Sequence, residues 1–359
     1  MNPTSLLITP EEVWLRLLQD KVHLIDVRAP VEFSAGRIPS SVNHPILNDE
    51  ERTLVGTTYK QQGSAEAVAL GHRLIQGEVK ESRVQAWVQE FKKDPEHTFV
   101  TCFRGGMRSQ ITQTWLAEKG IYIPRIAGGY KKMRQLFLDQ LESFSRTEKM
   151  LVLTGKTGSG KTQLLQDIQG HPTLNLEFLA QHRGSTFGAY KNRQPSQIDF
   201  ENNLTLEWGR QKQLFATKPI LVEDESRLIG RCVQPDSFFE LLRQSPVLFL
   251  DEPIEKRIEN ILQEYVIIRS EDVNLFADLS YSLGKIRNKL GGLRYAEISE
   301  DLEAARKAFA DHRDHSLSRV WIEKLILWYY DPLYQSSLDK RNPEILARGD
   351  RNHILSVIG

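Results

Sequence analysis

Met150-Leu151-Val152-Leu153-Thr154-Gly155-Lys156-Thr157-Gly158-Ser159-Gly160-Lys161-Thr162 is the stretch whose reading decides the fold. An apolar run of strand character feeds a turn spaced Gly-x4-Gly-Lys-Thr, and the pattern predicts a helix from Lys161. In a loop of this kind the backbone N–H groups cradle phosphates, the lysine reaches the terminal phosphates and the threonine hydroxyl faces a metal ion. Gly155, Gly158, Gly160, Lys161 and Thr162 are therefore the candidate phosphate-binding residues, with Mg2+ as a candidate ion. A strand, a phosphate loop and a helix in that order imply an α/β domain with a parallel sheet.

Downstream, two apolar strands end in carboxylates, as the metal-side acid of such a loop requires. They are Ile220-Leu221-Val222-Glu223-Asp224-Glu225-Ser226 and Val247-Leu248-Phe249-Leu250-Asp251-Glu252-Pro253. One of the two could instead cap the helix that follows. The first brings three acids together, so Glu223 and Asp224 are the candidate metal or acid residues. Between the loop and these strands the pattern predicts a helix over 161–169, a strand over 174–179 and a long helix over 197–215. Beyond residue 252 it is mostly helical.

Upstream, the strand Thr98-Phe99-Val100-Thr101 delivers a second loop, Cys102-Phe103-Arg104-Gly105-Gly106-Met107-Arg108-Ser109. A thiolate at the mouth of a short loop is stabilised by converging N–H groups and a nearby cation, and such a loop also binds oxyanions. The helix predicted from Ser109 points its positive end at the same place. Cys102, Arg104 and Arg108 are the candidate catalytic residues. A cysteine ending a strand is commonly just buried, but Gly105-Gly106 and Arg108 at this spacing favour chemistry. Cys232, with no glycine cradle, reads as structural.

Thr9-Pro10-Glu11-Glu12 reads as a helix start, with threonine as cap, proline in the first turn and acids at the positive end. A strand near 22–26, an irregular stretch, helices over 82–93 and 109–119 and a strand over 121–126 follow. A helix from Gly128-Gly129 then leads into the polar segment 141–149, where the domain boundary is placed. The expected domains are 1–143 and 144–359, and at 359 residues the chain is long enough for both, taking roughly 150 residues per domain.

Lysine and arginine total 47, as do aspartate and glutamate. A neutral chain does not coat nucleic acid indiscriminately, though a local basic patch can still bind RNA. His182-Arg183-Gly184-Ser185-Thr186-Phe187-Gly188 suits a second phosphate or an RNA backbone, and equally an ordinary solvated loop. Arg183, Lys191 and Arg193 are the candidate RNA contacts. Lys285, Arg287, Lys289 and Arg294 form a second basic stretch, a kind that is more often a solvated helix face. No apolar run approaches the roughly 18 residues of a membrane helix. With no secretion signal at the N-terminus and two cysteines, a reducing cytoplasm is expected.

Asp26-Val27-Arg28, Glu32-Phe33, Gly36-Arg37-Ile38-Pro39 and Asn43-His44-Pro45, together with the Cys102 loop, resemble the signature of rhodanese domains. The loop also fits Cys-x-x-Gly-x-x-Arg-Ser, the pattern of cysteine-dependent phosphatases. Thr101 stands where that pattern usually has histidine, and no general-acid aspartate loop is identifiable. The order rhodanese domain, P-loop domain, His182-Arg183-Gly184-Ser185 turn resembles the tRNA 2-selenouridine synthase family over essentially the whole chain. The resemblance implies a rhodanese-like parallel-sheet domain followed by a P-loop α/β domain with a helical C-terminal region. It implies replacement of sulfur by selenium at the wobble 2-thiouridine of tRNA, with selenophosphate as donor and an S-geranylated intermediate made from geranyl diphosphate. No tightly bound cofactor is expected; tRNA is the expected partner, with a selenophosphate-producing enzyme as a further one. The alternative is a rhodanese-like cysteine phosphatase or sulfurtransferase coupled to an NTPase domain.

Overall fold

Thr9 caps the first long helix as its residue type dictates: the Glu12 N–H donates to the Thr9 hydroxyl, and the Thr9 N–H donates to the Glu12 carboxylate. This computed structural model describes residues 2–183 and 193–358. The chain divides into two units, Met1–Ser143 with Pro195–Gln213, and Phe144–Gln194 with Leu214–Gly359.

The first unit alternates strand and helix: β1 (Leu7–Ile8), α1 (Pro10–Leu17), β2 (His23–Asp26), α2 (Pro30–Ala35), β3 (Ser41–Asn43), α3 (Asp49–Gln62) and α4 (Ser64–Leu74). It continues with α5 (Glu78–Lys93), β4 (Thr98–Thr101), α6 (Met107–Ala117), β5 (Arg125–Ile126) and α7 (Gly129–Thr147). The sheet order is β1-β5-β4-β2-β3, and every pairing is parallel. All four residues of β4 are buried, as expected of a central strand covered on both faces.

Three local expectations need correction. The stretch read as irregular folds into α3 and α4; polar residues and glycines had masked its helical character. Of residues 121–126 only Arg125–Ile126 pairs as strand. The polar segment at the expected domain boundary is helical through Thr147, as the last turns of α7.

A fourth correction concerns residues 195–213, which the sequence assigned to the second domain and which pack with the first. Asn202 Nδ2 donates to the Arg37 carbonyl at 2.7 Å, and the Arg37 N–H donates to Asp199 at 2.8 Å. Arg134 donates to Asn202 at 2.6 Å, while Arg210 reaches Asp20 and the Leu17 carbonyl. Gly36 and Gly209 permit the close approach: a β-carbon at Gly36 would lie 2.5 Å from Ile198, and one at Gly209 2.8 Å from the Trp14 ring. Sequence proximity to the P-loop domain concealed this helix's true seat.

The second unit holds β6 (Met150–Thr154), α8 (Lys161–Asp167), β7 (Thr173–Leu174) and α9 (Leu176–Ala180). The inserted helix Gln197–Leu214 is α10 in chain order. After it come β8 (Ile220–Glu223), the antiparallel hairpin β9 (Leu228–Ile229) and β10 (Cys232–Val233), α11 (Asp236–Gln244) and β11 (Val247–Leu250). The rest is α12 (Ile254–Leu262), α13 (Leu275–Lys285), α14 (Arg287–Leu290), α15 (Gly292–His312), α16 (Ser318–Leu325), α17 (Asp331–Arg341), β12 (Ile345–Gly349) and α18 (Arg351–Ile358). The parallel order β12-β11-β6-β8-β7 puts β6 between two neighbours. Two departures from expectation stand out: residues 176–180 are helical, and β12 returns from the helical region to extend the sheet. Cys232 is buried in its hairpin, a structural position. Among the described residues, no helix is long and apolar enough to cross a membrane.

Gly209→Val should force a side chain into the Trp14 and Leu18 contact, and overpacking of this kind costs about 1–3 kcal/mol. Denaturant unfolding followed by a probe in the first unit should show an earlier midpoint.

Candidate active site

Each anion loop leaves the C-terminal end of a strand flanked on both sides, the usual place for ligands in parallel sheets. In the first unit Asp26 and Arg28 form a buried ion pair at 2.7 Å. Arg28 also donates to the carbonyls of Glu32 and Gly36, which pins the turn carrying Glu32. The Tyr130 ring covers the Arg28 guanidinium at 3.7 Å. The rhodanese-type signature residues thus build a rigid wall beside the cysteine loop.

Cys102 is buried, with its sulfur 3.3 Å from the Ser109 hydroxyl. Ser109 donates to the Gly106 carbonyl at 2.9 Å. Gly105 takes a left-handed φ of 62°, and a β-carbon on Gly129 would lie 2.3 Å from the Cys102 carbonyl, so glycine is needed where the loop meets the turn that opens α7. Arg108 turns to a carboxylate of its own unit. Its fork grips Glu32 at 2.6 and 3.2 Å, and Arg52 approaches the same carboxylate at 3.3 Å. Burial pushes the Glu32 carboxyl up, but the Arg108 bond and charge, the Ala29 N–H and Arg52 outweigh it and hold it below its usual range. An incoming oxyanion must compete with Glu32 for Arg108. Arg104 is exposed beside them.

A cleft of about 730 Å3 opens from this loop beneath α3 and α4, lined by Cys102, Arg104 and Arg108 along with many apolar side chains. No local pattern announces it, because its walls come largely from α3 and α4, whose residues carry no clear helical periodicity. Arg125 also escaped notice. It is buried on β5, and its Nε and Nη1 find no hydrogen-bond partner among the described residues. Burial pushes its guanidinium pKa down, against the pull of the Cys102 sulfur.

In the second unit the phosphate loop is braced from behind by α12. Arg257 donates to the Thr157 carbonyl at 2.9 Å and Asn260 to the Gly158 carbonyl at 2.8 Å. Gly155, Gly158 and Gly160 all have positive φ, and Gly160 caps α8. Lys161 donates to the Gly155 carbonyl at 2.8 Å, folded across its own loop. The Thr162 hydroxyl lies 2.9 Å from Glu177 and 3.1 Å from Glu223. Glu177, Glu223 and Glu225 offer oxygens within 4.8 Å of one another.

These are hard oxygen donors next to a threonine hydroxyl, a set that fits Mg2+. Burial, then the Glu177 charge, push the Glu223 carboxyl up to about 8, against the Glu177 N–H, Thr162 and Lys161. Glu223 is therefore the acid of the first candidate strand that faces the loop. Asp224 does not join it: it pairs with Arg341 at 2.9 Å and accepts from Thr154. Alternation along a strand sends neighbouring side chains to opposite faces, which separates the two. Glu177 comes from α9 and was missed because its stretch read as strand. In the second candidate strand Asp251 pairs with Arg348, and Glu252 accepts the Arg351 N–H at 3.0 Å, capping α18.

Arg183 pairs with Glu264 at 2.8 Å and lies over the Tyr265 ring. Partial burial pushes the half-buried Glu264 carboxyl up, against the Arg183 charge. Arg193 is exposed, and Lys191 and residues 184–188 lie outside the described residues. Lys285, Arg287, Lys289 and Arg294 are all exposed. Of these, Lys285, Arg287 and Arg294 each stand over an aromatic ring, Tyr281, Tyr295 and Trp328.

Residues 9–136 match the profile of the rhodanese-like domain, and residues 148–359 match that of the tRNA 2-selenouridine synthase AAA domain. The tRNA 2-selenouridine synthase of Nitrosomonas europaea is 45% identical, covering 93% of this chain and 94% of its own. That of Bdellovibrio bacteriovorus is 46% identical over 96% of both chains. The Hahella chejuensis protein of the same name is 46% identical over 94% of this chain and 91% of its own.

The raised Glu223 carboxyl makes stability depend on pH. Between the ordinary 4.5 and about 8 the folded chain holds a proton that the unfolded chain has released, so stability falls as pH rises through that window. Thermal melts in chelator should show this decline. Glu223→Gln should flatten it, and Mg2+ should oppose it at the alkaline end; an unchanged slope in the variant would count against the buried cluster.

Proposed function

The chain belongs to the tRNA 2-selenouridine synthase family, and from that premise we propose that it exchanges sulfur for selenium at wobble 2-thiouridine through an S-geranylated intermediate. The observation that carries the reading is the presence on one chain of a cysteine loop opening on a large apolar cleft and a phosphate loop beside a carboxylate cluster.

The phosphate loop would hold the diphosphate of geranyl diphosphate, with Lys161 neutralising the terminal phosphate. Thr162, Glu223 and Glu177 would hold Mg2+, which when bound supplies further charge neutralisation on the leaving diphosphate. Arg183, held by Glu264, would serve the same anion. The thiouridine sulfur attacks the allylic carbon, forming the S–C bond while the C–O bond to diphosphate breaks. S-alkylation turns sulfur into a leaving group. Selenium of selenophosphate then forms the C2–Se bond at the Cys102 loop, and the C2–S electron pair departs with the geranylthiolate, which takes up a proton. Water cleaves the Se–P bond and releases phosphate, so no oxidant or reductant is needed.

A second reading draws on the same cluster. A threonine hydroxyl beside buried carboxylates also suits a nucleoside triphosphate with its metal ion, which would make the second unit an NTPase. Phosphatase chemistry at Cys102 is less well supported, because the carboxylate lining the cleft, Glu32, is held by Arg108 and Arg52.

Cys102→Ser keeps size while removing the soft thiol, and should abolish selenouridine formation with the fold intact; Cys232→Ser should have little effect. Lys161→Ala should abolish prenylation of thiolated tRNA, and Arg183→Ala should weaken geranyl diphosphate binding. A brisk ATPase that needs no tRNA, in a protein that does not bind the prenyl diphosphate, would favour the NTPase reading.

For tRNA, contacts to phosphates position the molecule while unstacked anticodon bases are read by stacking. The proposed surface combines Lys191 and Arg193 with the aromatic-backed cations Lys285, Arg287 and Arg294. Replacing Lys191 and Arg193 by alanine should weaken tRNA binding, and so should replacing the other three. Each lost phosphate contact should reduce the slope of log affinity against log salt by about 0.7–0.9. A full set of alanines with wild-type affinity at two salt concentrations would place the RNA elsewhere.

A further inference from the structure

The cleft beside Cys102 is far larger than the anion its loop can hold. At about 730 Å3 it falls in the range of about 300–1,000 Å3 that houses drug-sized ligands. A phosphate-sized oxyanion needs only the loop and its arginines, so most of the space serves something else.

The walls say what. Ile46, Leu47, Val55, Val68, Ile111 and Trp115 supply hydrocarbon, and the exposed cations Arg52, Lys60 and Arg104 line the same space. A chamber with apolar walls and a cationic open side suits a ligand with a hydrocarbon part and a polyanionic part.

The helices over the cleft give an independent sign. α3 runs for 14 residues and buries none of them, and α4 buries Ala67 alone. Surface helices normally owe their stability to burying an apolar face. Here Val55 and Val68 are only half-buried and Tyr59 is exposed, although all three line the cleft. These helices lie over unfilled space.

We propose that the cleft under α3 and α4 is the subsite for the geranyl chain of the S-geranylated nucleoside, seating its C2–S bond beside Cys102 while the RNA backbone rests on the cationic side. The assignment rests on the prenylated-intermediate reading and adds to it the place where the chain is held. It gives the cleft a role in the selenium step: the chain that departs as geranylthiol stays out of water until the C2–S bond has broken. It also explains how the site would favour an alkylated nucleoside over an unmodified one.

The test uses the full-length protein, selenophosphate and anticodon stem-loops already carrying S-geranyl- or S-methyl-2-thiouridine, with selenouridine formation as the readout. Wild type should prefer the S-geranyl substrate in kcat/KM. Val68→Trp and Val55→Trp, which fill the cleft, should each lower the geranyl-to-methyl ratio at least ten-fold. Val68→Ala, which enlarges it, should raise the relative rate with an S-farnesyl substrate, a gain that misfolding cannot imitate. A wild type that consumes the alkylated substrates with a ratio indifferent to all three variants would overturn the cleft assignment alone. A wild type that selenates unmodified 2-thiouridine and leaves every alkylated substrate untouched would overturn the prenylated-intermediate reading, and this assignment with it.

Discussion

A strand hydrogen-bonded on both sides is the least movable part of a parallel sheet, and both anion loops hang from such a strand. β4 lies between β5 and β2, and β6 between β8 and β11. Ladder bonds on either side fix the last residue of the strand, and so fix where the following loop begins. The neighbouring strands end at the same level and send their own residues toward the loop: Asp26 of β2 pairs in register with Thr101, and Glu223 of β8 with Leu153. The chemistry of each unit is thus placed by register, before any side chain packs.

Around that constraint the two units solve opposite electrostatic problems. In the first, cations gather at the cleft, and Glu32 occupies Arg108 and Arg52. A charge-assisted fork of this kind is among the stronger hydrogen bonds, so an anion gains entry by exchange. In the second, carboxylates crowd under a loop that attracts phosphate. Burial and mutual repulsion push Glu223 and Glu225 up, leaving a cluster ready for a cation to settle it. One site awaits negative charge and the other positive.

How much of this was legible in the sequence depended on the range of the interaction. The phosphate loop, the cysteine loop and the Thr9 cap are local patterns of a few residues, and their elements lie where the pattern put them. Glu177 was not legible, because its role depends on α9 meeting the end of β8, and its own stretch has strand-like apolar character. Asp224 was misjudged for a related reason: adjacency in sequence says nothing of which face a side chain takes. The cleft was least visible of all. It is made by what α3 and α4 fail to bury, and a missing contact leaves no residue pattern. Arg125 likewise looks like any strand-edge arginine until its buried surroundings are known.

The chain passes between its two units at residues 143/144, 194/195 and 213/214. A helix encoded within the second half completes the first, with Gly209 against Trp14 and Ile198 against Gly36. An exchange of genetic segments at residue 144 would therefore graft on a foreign helix whose glycine and asparagine need not match the surface left for it. Domains joined by a single linker can be shuffled freely by recombination. Two domains stitched by an intruding helix are inherited together, and their lineages are expected to share one branching history.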